Sequence, residues 1–312
     1  MNLGYACINM QLSYPTKYGK PKGTQPITTN RSMIRRTFDE KGVDYASELC
    51  LQNVKDLHYI TQWNILNGYN FYRLSSDMVP WKTEYEWSDL KDIKEIKMWF
   101  HSVGVMSKTH GVRLTAHPGP FNVLVSPNEQ VVQNTITDLS IHGDIMDFMG
   151  LSRTPYNKLN IHCNGVYGDK QSAMDRFCKN FERLPENVQT RLTVENDDKA
   201  SMYSVKDLYE GIHKRIGIPI VFDYHHYKFN TGEQTEQEAL EMALSTWGDI
   251  KPVVHYSESK AEHELNESIK PQAHSDIINQ LPNTYGKEVD VMVEAKHKEL
   301  AIQPFIKESY EK

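Results

Sequence analysis

Arg191-Leu-Thr-Val-Glu-Asn196, the helical pattern Val205–Ile216 and Pro219-Ile-Val-Phe-Asp-Tyr-His225 form one strand–helix–strand unit. Ile218–Phe222 is apolar on both faces, as a parallel strand under helices must be. Gly217 stands where the intervening helix should stop. Both strands close on an acid, Glu195 and Asp223, so the unit delivers chemistry to one end.

The same alternation extends in both directions. Upstream, Leu3–Asn9, Phe71–Ser76, Arg113–His117 and Lys158–Asn164 read as strands, and downstream Pro252–Ser257 and Asp290–Lys296 do so. Helical patterns fall between them at Asp44–Leu66, Ser88–His110, Glu129–Phe148, Ser172–Leu184 and Glu236–Trp247, with Gly111 and Gly248 as further stops. Eight strand–helix units predict an α/β fold closed into a (β/α)8 TIM barrel, one domain over residues 1–312. An open doubly wound sheet alternates in the same way, but no G-x-G-x-x-G or phosphate-binding loop follows the first strand. Residues 13–43 read as a polar, basic loop insertion with Lys17, Lys20, Lys22, Arg31, Arg35 and Arg36. It is either a solvated loop or a βα-loop that touches phosphate. Residues 297–312 read as a C-terminal helix.

At 312 residues and 39% hydrophobic, the chain has material for a sizeable core. No apolar run approaches the ~20 residues needed to span a bilayer, and the N-terminus lacks a secretory pattern. A cytoplasmic, non-secreted, monomeric protein is therefore expected, with no membrane or protein partner. Cys7, Cys50, Cys163 and Cys178 are far apart, against a disulfide framework or thiolate zinc site. The net charge of −6 argues against a nucleic-acid partner, unless acids are neutralised by bound cations.

Barrel enzymes carry their sites at the C-terminal ends of the strands. From the third strand to the eighth those ends read His117, His162, Glu195, Asp223 with His226, His255 and Glu294. A lone histidine or glutamate of this kind is usually structural. Six consecutive strands with the same feature would bury many ionisable groups in one cavity, at several kcal/mol each unless compensated. Bound cations resolve that cost. Imidazole and carboxylate without thiolate suit Mn2+, with Zn2+, Fe2+ or Mg2+ possible. So many ligands are too many for one tetrahedral ion and suit two or three, with Glu195 as the bridge. His226, and His274 in the loop after strand seven, suit an outer ion.

Gly4-Tyr-Ala-Cys-Ile-Asn9, Phe71-Tyr-Arg-Leu-Ser-Ser-Asp77, Ala116-His-Pro-Gly119, Asn160-Ile-His-Cys-Asn-Gly165, Val194-Glu-Asn-Asp-Asp198, Phe222-Asp-Tyr-His-His226, Val254-His-Tyr-Ser257 and Asp290-Val-Met-Val-Glu-Ala-Lys296 together resemble the ultraviolet damage endonucleases. The resemblance implies a DNA repair endonuclease on a metal-dependent barrel. It would cut double-stranded DNA 5′ to cyclobutane pyrimidine dimers and (6-4) photoproducts, by metal-activated hydroxide. Manganese is the usual metal. The implied ligands are His117, His162, Glu195, Asp223, His226, His255, His274 and Glu294. Glu195 and Lys296 carry over as the catalytic pair, with Lys296 near the phosphate. Tyr5 and Asn9 match positions near a damage pocket. Arg73 is a candidate for phosphate stabilisation or for a structural ion pair, and Tyr256 for base stacking.

Two positions depart from the family pattern. Pro120 and Phe121 replace a Gln-Tyr pair that probes the bases opposite the lesion. Phe121 still offers an apolar wedge. Val253 replaces a lysine that can be carboxylated to serve the metals, which points to a weaker or missing third ion. Two rival readings share the ligand pattern: a sugar isomerase or epimerase, and a damage-binding barrel that has lost turnover.

Overall fold

The computed structural model describes residues 1–310. Eight parallel strands close into a barrel in sequence order: β1 (Leu3–Ala6), β2 (Phe71–Leu74), β3 (Arg113–Ala116), β4 (Leu159–Ile161), β5 (Leu192–Glu195), β6 (Ile220–Asp223), β7 (Val253–Tyr256) and β8 (Asp290–Val293). Leu3 pairs with Val291, which joins the first strand to the last and leaves no open edge. The TIM barrel expected from the sequence is the fold observed, in a single domain.

The period of two along each strand layers the interior. Phe71, Val221, Val253 and Met292 form a buried apolar cluster with Ala6, closed off by Trp247. Two residues further along the same strand faces come Arg73, Asp223, His255 and Glu294. An apolar plug thus supports a polar mouth. Gly4 makes room for the plug, because a Cβ there would meet the Phe71 ring at 2.6 Å. Outside the strands, Val54, Leu57, Phe100, Leu139, Phe177 and Leu240 belong to the larger core that the helices bury against the sheet.

Several boundaries differ from the expectation. The strands are only three or four residues long, so His117, His162 and His226 lie just past their ends. His225 was expected on the face of Asp223, but β6 stops at Asp223 and Tyr224–Tyr227 turns into a short helix. Asp223 itself ends the strand, because its side chain accepts from the His226 backbone N–H at 2.8 Å. The basic insertion is not all loop. Met10–Ser13 and Pro15–Tyr18 are short helices, and Arg35–Leu66 is helical except at Gly42 (φ 67°). Arg35 and Arg36 pair with Asp39 and Glu40 there, so neither is a free phosphate ligand. The C-terminal helix starts at Glu299, not 297, because Lys298 is left-handed (φ 53°). Residues 311 and 312 of that expected helix lie outside the described residues.

Candidate metal centre

Glu195 is the hub of the mouth and is 1% exposed. Its Oε2 stands 3.2 Å from His117 Nε2, 3.8 Å from His162 Nε2 and 3.0 Å from His255 Nδ1. Its Oε1 is 3.4 Å from His226 Nδ1. Asn160 Nδ2 donates to Oε2 in a short hydrogen bond. Across the mouth, Arg73 Nη1 pairs closely with Glu294 Oε1, which lies 3.3 Å from His255 Nδ1.

Three ligand sets result: His117–His162–Glu195, Glu195–Asp223–His226 and Asp223–His255–Glu294, each with ligand atoms within 4.8 Å of one another. Glu195 belongs to two sets and Asp223 to two, which is how carboxylates bridge neighbouring ions. Each set mixes imidazole with carboxylate and contains no thiolate, a donor set for Mn2+, Zn2+ or Mg2+.

The second ring nitrogens test the fit. A metal-binding imidazole hands its other N–H to a carbonyl or carboxylate. His117 Nδ1 faces Pro118 O at 3.2 Å, His226 Nδ1 faces Asn196 O at 2.9 Å and His274 Nδ1 faces Glu294 O at 3.0 Å. His162 Nδ1 lies 3.2 Å from Asp197 Oδ1. These partners favour the tautomer that leaves Nε2 free for a ligand role. Asp223 Oδ2 and His255 Nδ1 are buried without a hydrogen-bond partner. His255 Nδ1 approaches Glu195 without hydrogen-bond geometry, as two lone-pair donors do when both face a third centre. The residues fit a cluster of divalent cations.

The electrostatics agree. Burial works against a charge on Glu195, but His255 and His162 outweigh it and hold the carboxyl well below its usual range. Burial likewise opposes the Glu294 carboxylate, and Arg73 holds it charged. Burial pushes Asp223 up, aided by Glu195 and Glu294, so this carboxylate lacks a cation. His117 is pushed down to about 4 by burial. His162 is also opposed by burial, yet Glu195 and Asp197 lift it to about 9.

Some expected residues lie elsewhere. His274 is outside the three tight sets, its ring 6.5 Å from that of His226. Arg73 lines the cavity over the centre with His117, His162 and Glu294, and its Nε has no partner. It is therefore not a salt bridge at the barrel base. Lys296 is exposed beyond β8. Tyr5 and Asn9 are sealed from solvent: the Tyr5 hydroxyl donates to Asn64 Oδ1 at 2.6 Å and accepts from Asn9 Nδ2 at 3.0 Å. In this conformation neither can touch DNA, and the pair pins β1 to its helix. Tyr256 is buried too, donating to Glu258 Oε1 at 3.0 Å, so it is not poised to stack on a base. Phe121 is 89% exposed.

Three residues that complete the centre were not singled out from the sequence. Lys158, Asn160 and Asp197 surround His162 and Glu195. Lys158 and Asn160 share the strand face of His162 at steps of two, a signal available in the sequence.

The fold and mouth therefore define a barrel protein built to hold divalent cations on imidazoles and carboxylates. The family of UV-endonuclease UvdE matches residues 1–312, and the chain belongs to that family. A UV DNA damage endonuclease of Bacillus cereus (strain Q1) is 32% identical over 298 residues, covering 92% of this chain and 89% of its own. One from Bacillus anthracis is 31% identical with the same coverage. The crystal structure of SacUVDE superposes with a TM-score of 0.82 at 27% identity, covering 100% of this chain and 98% of that one. D-psicose 3-epimerase from Clostridium cellulolyticum H10 reaches a TM-score of 0.52 at 11% identity, covering 95% and 85%, a likeness of fold alone. Among the described residues no helix is long and apolar enough to cross a membrane.

Proposed function

We propose that this chain cuts double-stranded DNA on the 5′ side of ultraviolet photoproducts, cyclobutane pyrimidine dimers and (6-4) products, using two or three divalent ions, manganese foremost. The observation that carries the reading is the ring of ligands around Glu195, joined to the family membership. A relative of this chain bears the name UV DNA damage endonuclease, and the DNA substrate is carried over from there.

His117, His162 and Glu195 would hold one ion, Glu195, Asp223 and His226 a second, and Asp223, His255 and Glu294 a third, with His274 at the outer edge. Bound divalent ions supply Lewis-acid neutralisation of phosphate and a water of lowered pKa. The protein's own groups do the rest. Arg73 lies in the wall of the cavity above the ligands, where its guanidinium can orient a phosphate oxygen. Lys296, just past Glu294, adds positive charge at the rim. Phe121, exposed on the loop after β3, is placed to wedge into a duplex whose stacking a photoproduct has already weakened.

Ultraviolet-irradiated supercoiled plasmid tests the reading. With Mn2+, the protein should relax irradiated plasmid and leave unirradiated plasmid supercoiled. Equal cutting of both would reject damage specificity. Binding to irradiated plasmid with no cutting would make the chain a recognition module.

A further inference from the structure

The largest cavity beside the mouth does not contain the ligands. It has a volume of about 620 Å3 and lies on the other side of the loop that carries Phe121. Gly119 and Pro120 line both this cavity and the one above the metal ligands, so that loop is a shared wall. The exposed Phe121 ring also lines the larger cavity.

The lining chemistry selects an occupant. Asp77, Glu84 and Asp138 contribute three carboxylates, and no lysine or arginine among the described residues lines the cavity. A phosphate is therefore repelled. Asn122, only 3% exposed, donates from Nδ2 to Asp138 Oδ2 at 2.8 Å and to Gly119 O at 3.0 Å. Its Oδ1 has no donor. The wall is rich in acceptors, and one of them is buried and unpaired. A neutral, planar group with an amino donor meets that demand, and the volume lies in the range of small-molecule sites.

From this geometry we infer that the cavity is a base pocket. It receives a purine from the strand opposite the lesion, displaced when Phe121 enters the duplex, and holds it by the exocyclic amino group of adenine. The inference rests on the damage-endonuclease reading above. Pyrimidine dimers face purines, so an adenine-accepting pocket beside the wedge suits that substrate. Asp138 and Asn122 accept from the amino group, and the Phe121 ring covers the gap left in the stack. Pocket and wedge thus share one loop, and the wedge needs no hydrogen-bonding side chain of its own.

The test uses the full chain, Mn2+ and a short duplex carrying one thymine dimer. Opposite the dimer stand two adenines, two purines lacking the amino group, or two abasic sugars. With the wild-type protein, kcat/KM for nicking should fall roughly tenfold or more from adenine to purine, the scale of a hydrogen bond to a charged acceptor. Thr137 is exposed at the cavity wall, so Thr137→Trp fills the space without disturbing the core. That variant should nick the adenine duplex about tenfold more slowly than wild type and match wild type on the abasic duplex. Wild-type rates indifferent to the amino group would overturn the pocket, as would full activity of Thr137→Trp on the adenine duplex. In both of those results the dimer is still cut, and the function proposed above stands. A wild-type protein that cuts none of the three duplexes removes that function and the pocket with it.

Discussion

Lys158 Nζ lies 3.1 Å from His255 Nε2, inside the barrel and beneath the ligand ring. Burial drives this amine down to about 7, with Glu195 opposing and Arg73 adding to the effect. His255 is itself pushed down, by burial first. Two nitrogens this close cannot both carry protons toward each other. The pair therefore stores a cost that a change of pH exposes.

That cost predicts a stability profile for the metal-free protein. The unfolded lysine titrates near 10.4 and the folded one near 7, so the unfolded state binds the extra proton between them. The contribution of Lys158 is fully present above the unfolded pKa and is lost as pH falls toward 7. Denaturant unfolding of wild type and Lys158→Met at pH 7 and pH 10 checks this. Wild type should gain on the variant as pH rises, and a constant difference contradicts the assignment.

His162 predicts a proton release. At about 9 it is protonated in the metal-free protein at pH 7.5, and it must lose that proton to bind a metal. Calorimetric titration with Mn2+ in buffers of different ionisation enthalpy should report release of about one proton. The release should fade as pH passes 9. Release that does not vary with pH would remove His162 from the ligand set.

Asp197 orients His162 through Nδ1 at 3.2 Å. Asp197→Asn should weaken metal binding by roughly 10–100-fold, the usual effect of losing such a support. Metal content by atomic spectroscopy, with circular dichroism as a check on folding, separates this from collapse of the barrel.

Phe121 and Tyr5 should behave as opposites. Phe121→Ala removes an exposed ring, so stability should stay within ~0.5 kcal/mol and metal content should not change, while nicking of dimer-containing duplex falls. Tyr5→Phe deletes a buried hydroxyl that serves Asn64 and Asn9, and should cost ~1–3 kcal/mol. Its preference for damaged over intact DNA should not change. Loss of that preference in Tyr5→Phe would return Tyr5 to the damage pocket.

The parts legible in the sequence were those written in short-range pattern. The apolar runs at Ile218–Phe222 and the acids that end β5 and β6 are local, and they yielded the barrel and the ligand ring. Tyr5 was misplaced because the sequence shows an aromatic near a strand end but not the helix lid over it, where Asn64 supplies the partner. Lys158 went unread because only strand ends were searched. It enters from β4 at the start of the strand, and its contact with His255 spans 97 residues. Val253 had been weighed as a missing lysine, but its side chain belongs to the apolar plug, and the amine under His255 comes from the other side of the barrel.

Manganese soaked into crystals of this protein, located by anomalous scattering, tests the ligand ring most directly. The arrangement predicts peaks beside Glu195 toward His117 and His162 and toward Asp223, with a weaker peak near His274. Anomalous density absent from the mouth at saturating manganese, with Glu195 hydrogen-bonded only to protein, would contradict it.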